Sequence, residues 1–202
     1  RCKAAALYTT NKVKGAPIYV TKKHLEDGCA QAVIVNSGNA NTCNADGEEV
    51  AWQMCELAGK AAGIDPHHVI VASTGVIGQP LSIEPIAQHM GALYAAVKVN
   101  GSQEAAEGIM TTDTRLKEVA VSFVVDGKVC HLGGIAKGSG MIHPNLATML
   151  PYLRRGDFPR DAPQGAVGQR EGHVQHGQRR WRHIHQRHGV HHGERLGGQC
   201  AD

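Results

Sequence analysis

No stretch of this 202-residue sequence supplies the about 18 consecutive apolar residues that a membrane-spanning helix needs. The first residues also lack the charged and then apolar layout of a secretory signal. Export and membrane insertion are therefore not expected, and a cytoplasmic protein with no membrane partner is. The cysteines (Cys2, Cys29, Cys43, Cys55, Cys130 and Cys200) form no CxxC pair and keep no regular spacing. That pattern argues against a disulfide framework and for reduced thiols. The chain opens on Arg1 rather than methionine, which suggests that an amino-terminal stretch is missing.

A second shortage divides the chain. Residues 151–202 contain no Ser, Thr, Asn, Lys or Met, although these five types supply 37 of the first 150 residues. The front carries 10 Lys and 2 Arg against 13 acidic residues, a net charge of −1. The tail carries 9 Arg against 5 acidic residues, a net of +4, with 7 of the 13 His. The sequence pI near 8.6 thus reports the tail and gives the front no basic nucleic-acid surface. One domain with a real core is expected over 1–150 and a separate Arg/His/Gly-rich segment over 151–202.

The front reads as mixed α and β. Residues 31–36 hold Ala32, Val33, Ile34 and Val35, apolar on both faces, which predicts a strand covered on both sides. The cluster Asn36-Ser37-Gly38-Asn39-Ala40-Asn41 predicts a turn. Asp46, with Glu49 three residues on, suits the start of a helix that runs through Trp52, Met54, Leu57 and Ala61 to a stop at Gly63. Residues 69–72 predict a second strand. Ser82 is expected to cap a second helix whose Ile86, Met90, Leu93 and Val97 make one apolar stripe. Alternating Val119, Val121, Phe123 and Val125, then Asp126-Gly127, then residues 128–132, predict a hairpin.

Three segments interrupt this pattern with small polar residues: Ser73-Thr74-Gly75-Val76-Ile77-Gly78, Met110-Thr111-Thr112-Asp113-Thr114, and the glycine-rich run from Gly133 to Leu150. Each is expected at the end of an element, where backbone N–H groups can meet a ligand. Lys137 among glycines suggests a phosphate loop, but Gly138 stands where the Walker pattern needs Ser or Thr. A plain glycine-rich turn is the simpler alternative. Thr148, after the small Ala147, is a candidate nucleophile. A threonine hydroxyl needs an adjacent base, and one source is its own α-amine once the preceding peptide bond is cut. Such an amine titrates near ~7.7–8.0 and can take a proton at neutral pH. Read by themselves, Thr74 and Thr111 also suit turn caps, Lys137 a solvated charge and Thr148 an ordinary strand residue.

The run from Gly134 to Leu150 resembles the self-cleavage segment of ornithine acetyltransferase, also called glutamate N-acetyltransferase. Tyr8-Thr9-Thr10-Asn11-Lys12-Val13 with Ala16-Pro17, the Asn36 to Asn41 cluster and the Ser73 to Gly78 segment agree with it in order, so the resemblance spans 1–150. It implies an α/β self-processing fold of the ornithine acetyltransferase/DmpA type, incomplete in this chain. It implies cleavage between Ala147 and Thr148, giving an α chain and a β chain that assemble as a heterotetramer. Thr148 would then take the acetyl group of N-acetylornithine as an ester and pass it to glutamate, a step of arginine biosynthesis. Thr74 and Gly75 match the oxyanion pair, a role worth about 2.7–4 kcal/mol per donor. Thr111 and Lys137 match substrate-contacting positions, the lysine suiting a carboxylate. No cofactor, metal or nucleic acid is implied, although acetyl-CoA is a possible donor in bifunctional members. Alternatives are a related aminopeptidase-like hydrolase that gives its acyl group to water, and a non-catalytic fragment that binds a partner chain.

The tail departs from the family. Read one base later, the codons of residues 154–158 permit DAAIS, and those of Arg180 to His188 permit DGDTSTNDM, which resembles a β-chain motif of this family. A frame error close after Leu150 is therefore expected, with a disordered tail and an inactive chain. Two other readings of the tail are a metal site at its histidines and nucleic-acid binding by its arginines, but no fixed zinc spacing is present.

Overall fold

The computed structural model describes residues 2–138, together with the backbone of residues 150–156. The chain divides into two compact units, residues 1–111 and 112–202.

The first unit is built on two parallel strands, β3 (Ala32–Asn39) and β4 (Val69–Val76), paired in register from Ala32 opposite Val69 to Asn39 opposite Val76. The strands extend beyond the expected residues 31–36 and 69–72. The cluster at Asn36 is not a turn up to Asn39, because Asn36, Ser37, Gly38 and Asn39 each face a residue of the Ser73 to Val76 segment across the ladder. Helix α2 (Gly47–Ala62) lies against β4 and buries Val50, Ala51, Met54 and Cys55 with Ile34, Val69 and Val71. It ends at Gly63 in the left-handed conformation, φ +67°. Asp46 occupies the cap position as expected, but its side chain makes no capping hydrogen bond.

Helix α1 (Ala16–His24) had no clear signal in the sequence. Pro17 in its first turn suits a helix start, and its inner face is sewn to β4 by polar groups rather than by an apolar stripe. Thr21 donates its Oγ1 hydrogen to the Val71 carbonyl at 2.8 Å and accepts from the Val71 N–H at 3.1 Å. His24 Nδ1 donates to the Val69 carbonyl at 2.7 Å. Val33 is 48% exposed, so the expectation of cover on both faces of β3 fails within this unit. Helix α3 (Glu84–Ala95) begins two residues after Ser82, whose Oγ accepts from the Glu84 N–H at 3.3 Å. Of its anticipated stripe, Met90 is buried and Ile86 packs on the core, while Leu93 is exposed and Val97 lies beyond the helix end. A short helix, α4 (Ser102–Gly108), completes the unit. A two-residue antiparallel ladder pairs β1 (Cys2–Lys3) with β2 (Cys29–Ala30).

The second unit is an antiparallel sheet of β5 (Glu118–Val125), β6 (Lys128–Lys137) and β7 (Leu150–Gly156), with β6 central. Asp126 and Gly127 both take positive φ, +50° and +74°, which fits the right-handed twist of a two-residue hairpin turn. Gly133, Gly134, Ile135, Ala136 and Lys137 are strand rather than loop, because β5 and β7 supply partners to this stretch from both sides. Among the described residues no helix is long and apolar enough to cross a membrane, and Cys2, Cys29, Cys43, Cys55 and Cys130 are free thiols. Burial, with a smaller push from Glu56, raises the Cys55 thiol to about 12, which leaves it inert at neutral pH.

Candidate active site

Thr74 and Gly75 close the parallel ladder of the first unit. Gly75 has φ +134°, a backbone shape that residues with a Cβ rarely adopt. A Cβ there would stand 2.2 Å from both the carbonyl carbon and oxygen of Gly38, its partner across the ladder. The two strands approach at this point more closely than any side chain permits. Thr74 Oγ1 is buried and has no hydrogen-bond partner among the described residues. An unpaired buried hydroxyl costs about 1–3 kcal/mol, so the hydroxyl is the group in this loop with an unmet demand for a partner.

Asparagines fix the loop around that pair. Asn39 Nδ2 donates to the carbonyls of Gln79 and Pro80, at 3.0 and 3.2 Å, and its Oδ1 accepts from the Asn41 N–H at 2.9 Å. Asn36 Nδ2 donates to the Asn39 carbonyl at 2.9 Å. Fully buried Asn41, at φ +47°, donates to the Gly47 carbonyl at 2.8 Å and so ties the loop to the start of α2. The Ala40 N–H donates to the Val76 carbonyl and the Gly78 N–H to the Thr42 carbonyl, which joins the two strand ends beyond the ladder. The cluster read as a turn is thus the scaffold of the Thr74-Gly75 segment.

In the second unit Lys137 ends β6. It is buried, not a solvated charge: its Nζ donates to Asp113 Oδ2 at 3.0 Å and to the Gly138 carbonyl at 3.2 Å. Asp113, whose side chain is fully buried, also accepts on Oδ1 from Lys117 Nζ at 2.6 Å and from the Gly138 N–H at 2.8 Å. Burial would raise the Asp113 carboxyl, but the hydrogen bonds from Lys117, Lys137 and Gly138 outweigh it and hold the group below its ordinary value. Neither Asp113 nor Lys117 was singled out in the sequence. Both lie in or beside the small polar segment at Met110, but a pairing across 24 residues has no local signature.

Thr111, an exposed residue, closes the first unit. Of the expected site residues, Thr74 and Gly75 are neighbours on β4, whereas Thr111 and Lys137 belong to different units. Ala147 and Thr148 lie outside the described residues, as does most of the segment expected to be cut. Among the described residues no three His, Cys, Asp or Glu side chains are grouped to hold a metal ion.

A family model described as the ArgJ family matches residues 1–156. The chain belongs to the ArgJ family. It is 48% identical over 153 residues to the arginine biosynthesis bifunctional protein ArgJ of Symbiobacterium thermophilum, covering 75% of this chain and 38% of that protein. It is 46% identical over 153 residues to ArgJ 1 of Clostridium acetobutylicum, with the same coverage. The chain thus spans less than two fifths of the length of these ArgJ relatives. Among solved structures, ArgJ of Bacillus halodurans superposes with a TM-score of 0.65 at 40% identity, covering 73% of this chain and 77% of that one. Ornithine acetyltransferase of Mycobacterium tuberculosis, solved in complex with ornithine, gives 0.60 at 31% identity, covering 76% and 79%. The mixed α/β fold is therefore that of the ArgJ structures.

Proposed function

We propose that this chain is the front part of an enzyme that moves an acetyl group from N-acetylornithine to glutamate. The observation that carries the reading is the buried, unpartnered Thr74 hydroxyl beside Gly75, in a chain of the ArgJ family. In this reading the peptide bond between Ala147 and Thr148 is cut by the chain itself. The freed Thr148 amine accepts the proton of the Thr148 hydroxyl as its oxygen attacks the acetyl carbonyl carbon. The developing oxyanion takes hydrogen bonds from the Thr74 hydroxyl and the Gly75 N–H, fixed in advance by the asparagine scaffold. Ornithine leaves with the proton on its amine, and the acetyl group stays as an ester on Thr148. Glutamate then attacks the ester and departs as N-acetylglutamate, restoring the threonine. Thr111 and Lys137 contact substrate, the ammonium of Lys137 facing a carboxylate. Acetyl-CoA serves as an alternative donor if the enzyme is of the bifunctional kind, and no resident cofactor is required. The ornithine complex of the Mycobacterium tuberculosis relative supports an ornithine-type substrate.

The working enzyme is a cytoplasmic heterotetramer of α and β chains cut from one precursor. The chain by itself is inactive, because the β-chain share of the site lies in the part of the ArgJ relatives it does not span. The test is to supply N-acetylornithine and glutamate to the chain with and without the remaining half of an ArgJ relative, and to follow N-acetylglutamate and the intact mass. The expected result is product only when the half is supplied, with a new chain beginning at Thr148. Release of acetate in place of N-acetylglutamate would make the protein a hydrolase, and turnover by the chain unaided would refute its inactivity.

A further inference from the structure

Two buried ammonium groups share one buried carboxylate in the second unit, and that arrangement does more than fill space. Lys117 and Lys137 are both largely withdrawn from water, with 13% and 9% of their side chains exposed. An ammonium withdrawn from water needs an anion beside it to offset the hydration it gives up. Asp113 is that anion for both, one oxygen to each lysine, and its Oδ1 also receives the Gly138 N–H next to Lys137. Gly138 is packed so closely that a Cβ there would stand 2.5 Å from Lys117 Cε and 3.1 Å from Asp113 Oδ1. The carboxylate thus holds both the head of Lys137 and the backbone one residue on. Lys117 is held in turn by the Arg115 carbonyl at 2.9 Å.

We infer that Asp113 is a positioning residue that fixes the Lys137 ammonium in place for a substrate carboxylate. This rests on the reading of Lys137 as a substrate contact. One carboxylate is thus divided between two lysines, one oxygen to each. Glu118 at the head of β5 stands opposite Ile135, two residues before Lys137. On β6 itself the nearest titratable group is His131. An amide in place of Asp113 satisfies at most one lysine and turns its NH2 toward the other.

The clamp is tested on the full chain by labelling lysines with an acetylating N-hydroxysuccinimide ester over a pH series and mapping the peptides. In the unaltered chain Lys137 should label at least ~10-fold more slowly than exposed Lys128. In Asp113→Asn, with thermal melting as the check on folding, Lys137 should label at least ~3-fold faster than in the unaltered chain, because its ammonium loses its tether. If the unaltered chain labels Lys137 as fast as Lys128, or a folded Asp113→Asn chain leaves the Lys137 rate unmoved, the inference is overturned. Should that variant fail to fold, Lys117→Met serves: with the competing cation gone, Asp113 holds Lys137 more firmly and its labelling should slow, and no movement also overturns the clamp. The link to substrate is read with the missing half supplied. Asp113→Asn should raise KM by about 10-fold with kcat within about twofold, and Lys137→Ala should raise it at least as much. An impaired Lys137→Ala beside a normal Asp113→Asn defeats the positioning role alone. A normal Lys137→Ala defeats instead the reading on which it rests.

Discussion

At the scale of single residues, Gly38 and Gly75 face each other across one ladder and have opposite tolerances. A methyl group on Gly75 meets the Gly38 carbonyl at 2.2 Å in a backbone conformation that already disfavours it, whereas a methyl group on Gly38 meets nothing within 4 Å. Gly75→Ala should therefore destabilise the first unit by more than the ~1–3 kcal/mol of the conformation alone. Gly38→Ala should stay within about 1 kcal/mol of the parent, in either direction. Denaturant melting of the two variants side by side checks the pair, and equal losses would mean that the strands separate readily there. Thr74 allows a complementary test. Thr74→Val keeps the shape and removes the unpaired hydroxyl, so stability should hold or rise by about 1 kcal/mol. Acetyl transfer by the completed enzyme should fall about 10²–10³-fold. A variant that loses stability while keeping activity would assign the hydroxyl to the fold.

Elements were legible where side-chain periodicity alone decides them and obscure where partners do. The α2 pattern from Trp52 to Gly63 and the Asp126-Gly127 hairpin are local signals, and both appear at the expected places. The ends of β3, β4 and β6 were not legible. Asn36 to Asn39 and Gly133 to Lys137 carry loop-like residues that are held extended by strands far away in sequence. Of the site, Thr74, Gly75 and Lys137 came from the family likeness, while Asp113 required the structure. Helix α1 was missed because Val20 is its one apolar residue in the core and the rest of its hold on β4 is a pair of polar stitches from Thr21 and His24. One of those stitches titrates. Burial is the largest influence on His24 and lowers its pKa from the ordinary ~6.5, against the opposing pull of the Val69 carbonyl. The unfolded chain then binds a proton that the folded one resists, so stability is complete above about pH 6.5 and is lost as pH falls toward the depressed value. Trp52 lies 5.3 Å from the His24 ring and reports the change. In a Trp181→Phe background, the melting temperature read by Trp52 should drop between about pH 7 and 5, and His24→Asn should flatten that slope. A slope unchanged by His24→Asn would place the titration elsewhere.

For the whole molecule, the first unit looks like a part built to be covered. A two-stranded parallel sheet is an unusual free-standing object, since parallel strands are normally screened on both faces. Here Val33 is exposed on β3, Val76 and Ile77 follow the Thr74-Gly75 pair, and Leu93, Val97 and Val99 are open along and beyond α3. Relatives about twice as long have further chain that such surfaces would pack against. The family match stops at residue 156, where β7 also ends, and from residue 150 on the composition has already lost five residue types at once. A selected continuation of an α/β enzyme would keep Ser, Thr, Asn, Lys and Met, whereas a shifted frame draws its residues from codon overlap and has no reason to. The two readings separate on the coding DNA from codon 140 to codon 202. A base gained or lost near codon 150, with DGDTSTNDM restored downstream, is the expected result. A corrected gene should then yield a chain that cuts itself before Thr148 and needs no added half to make N-acetylglutamate. An intact frame would leave the exposed face of this unit to be covered by a separately made chain, and the complementation experiment would become the test of whether any acetyl transfer survives.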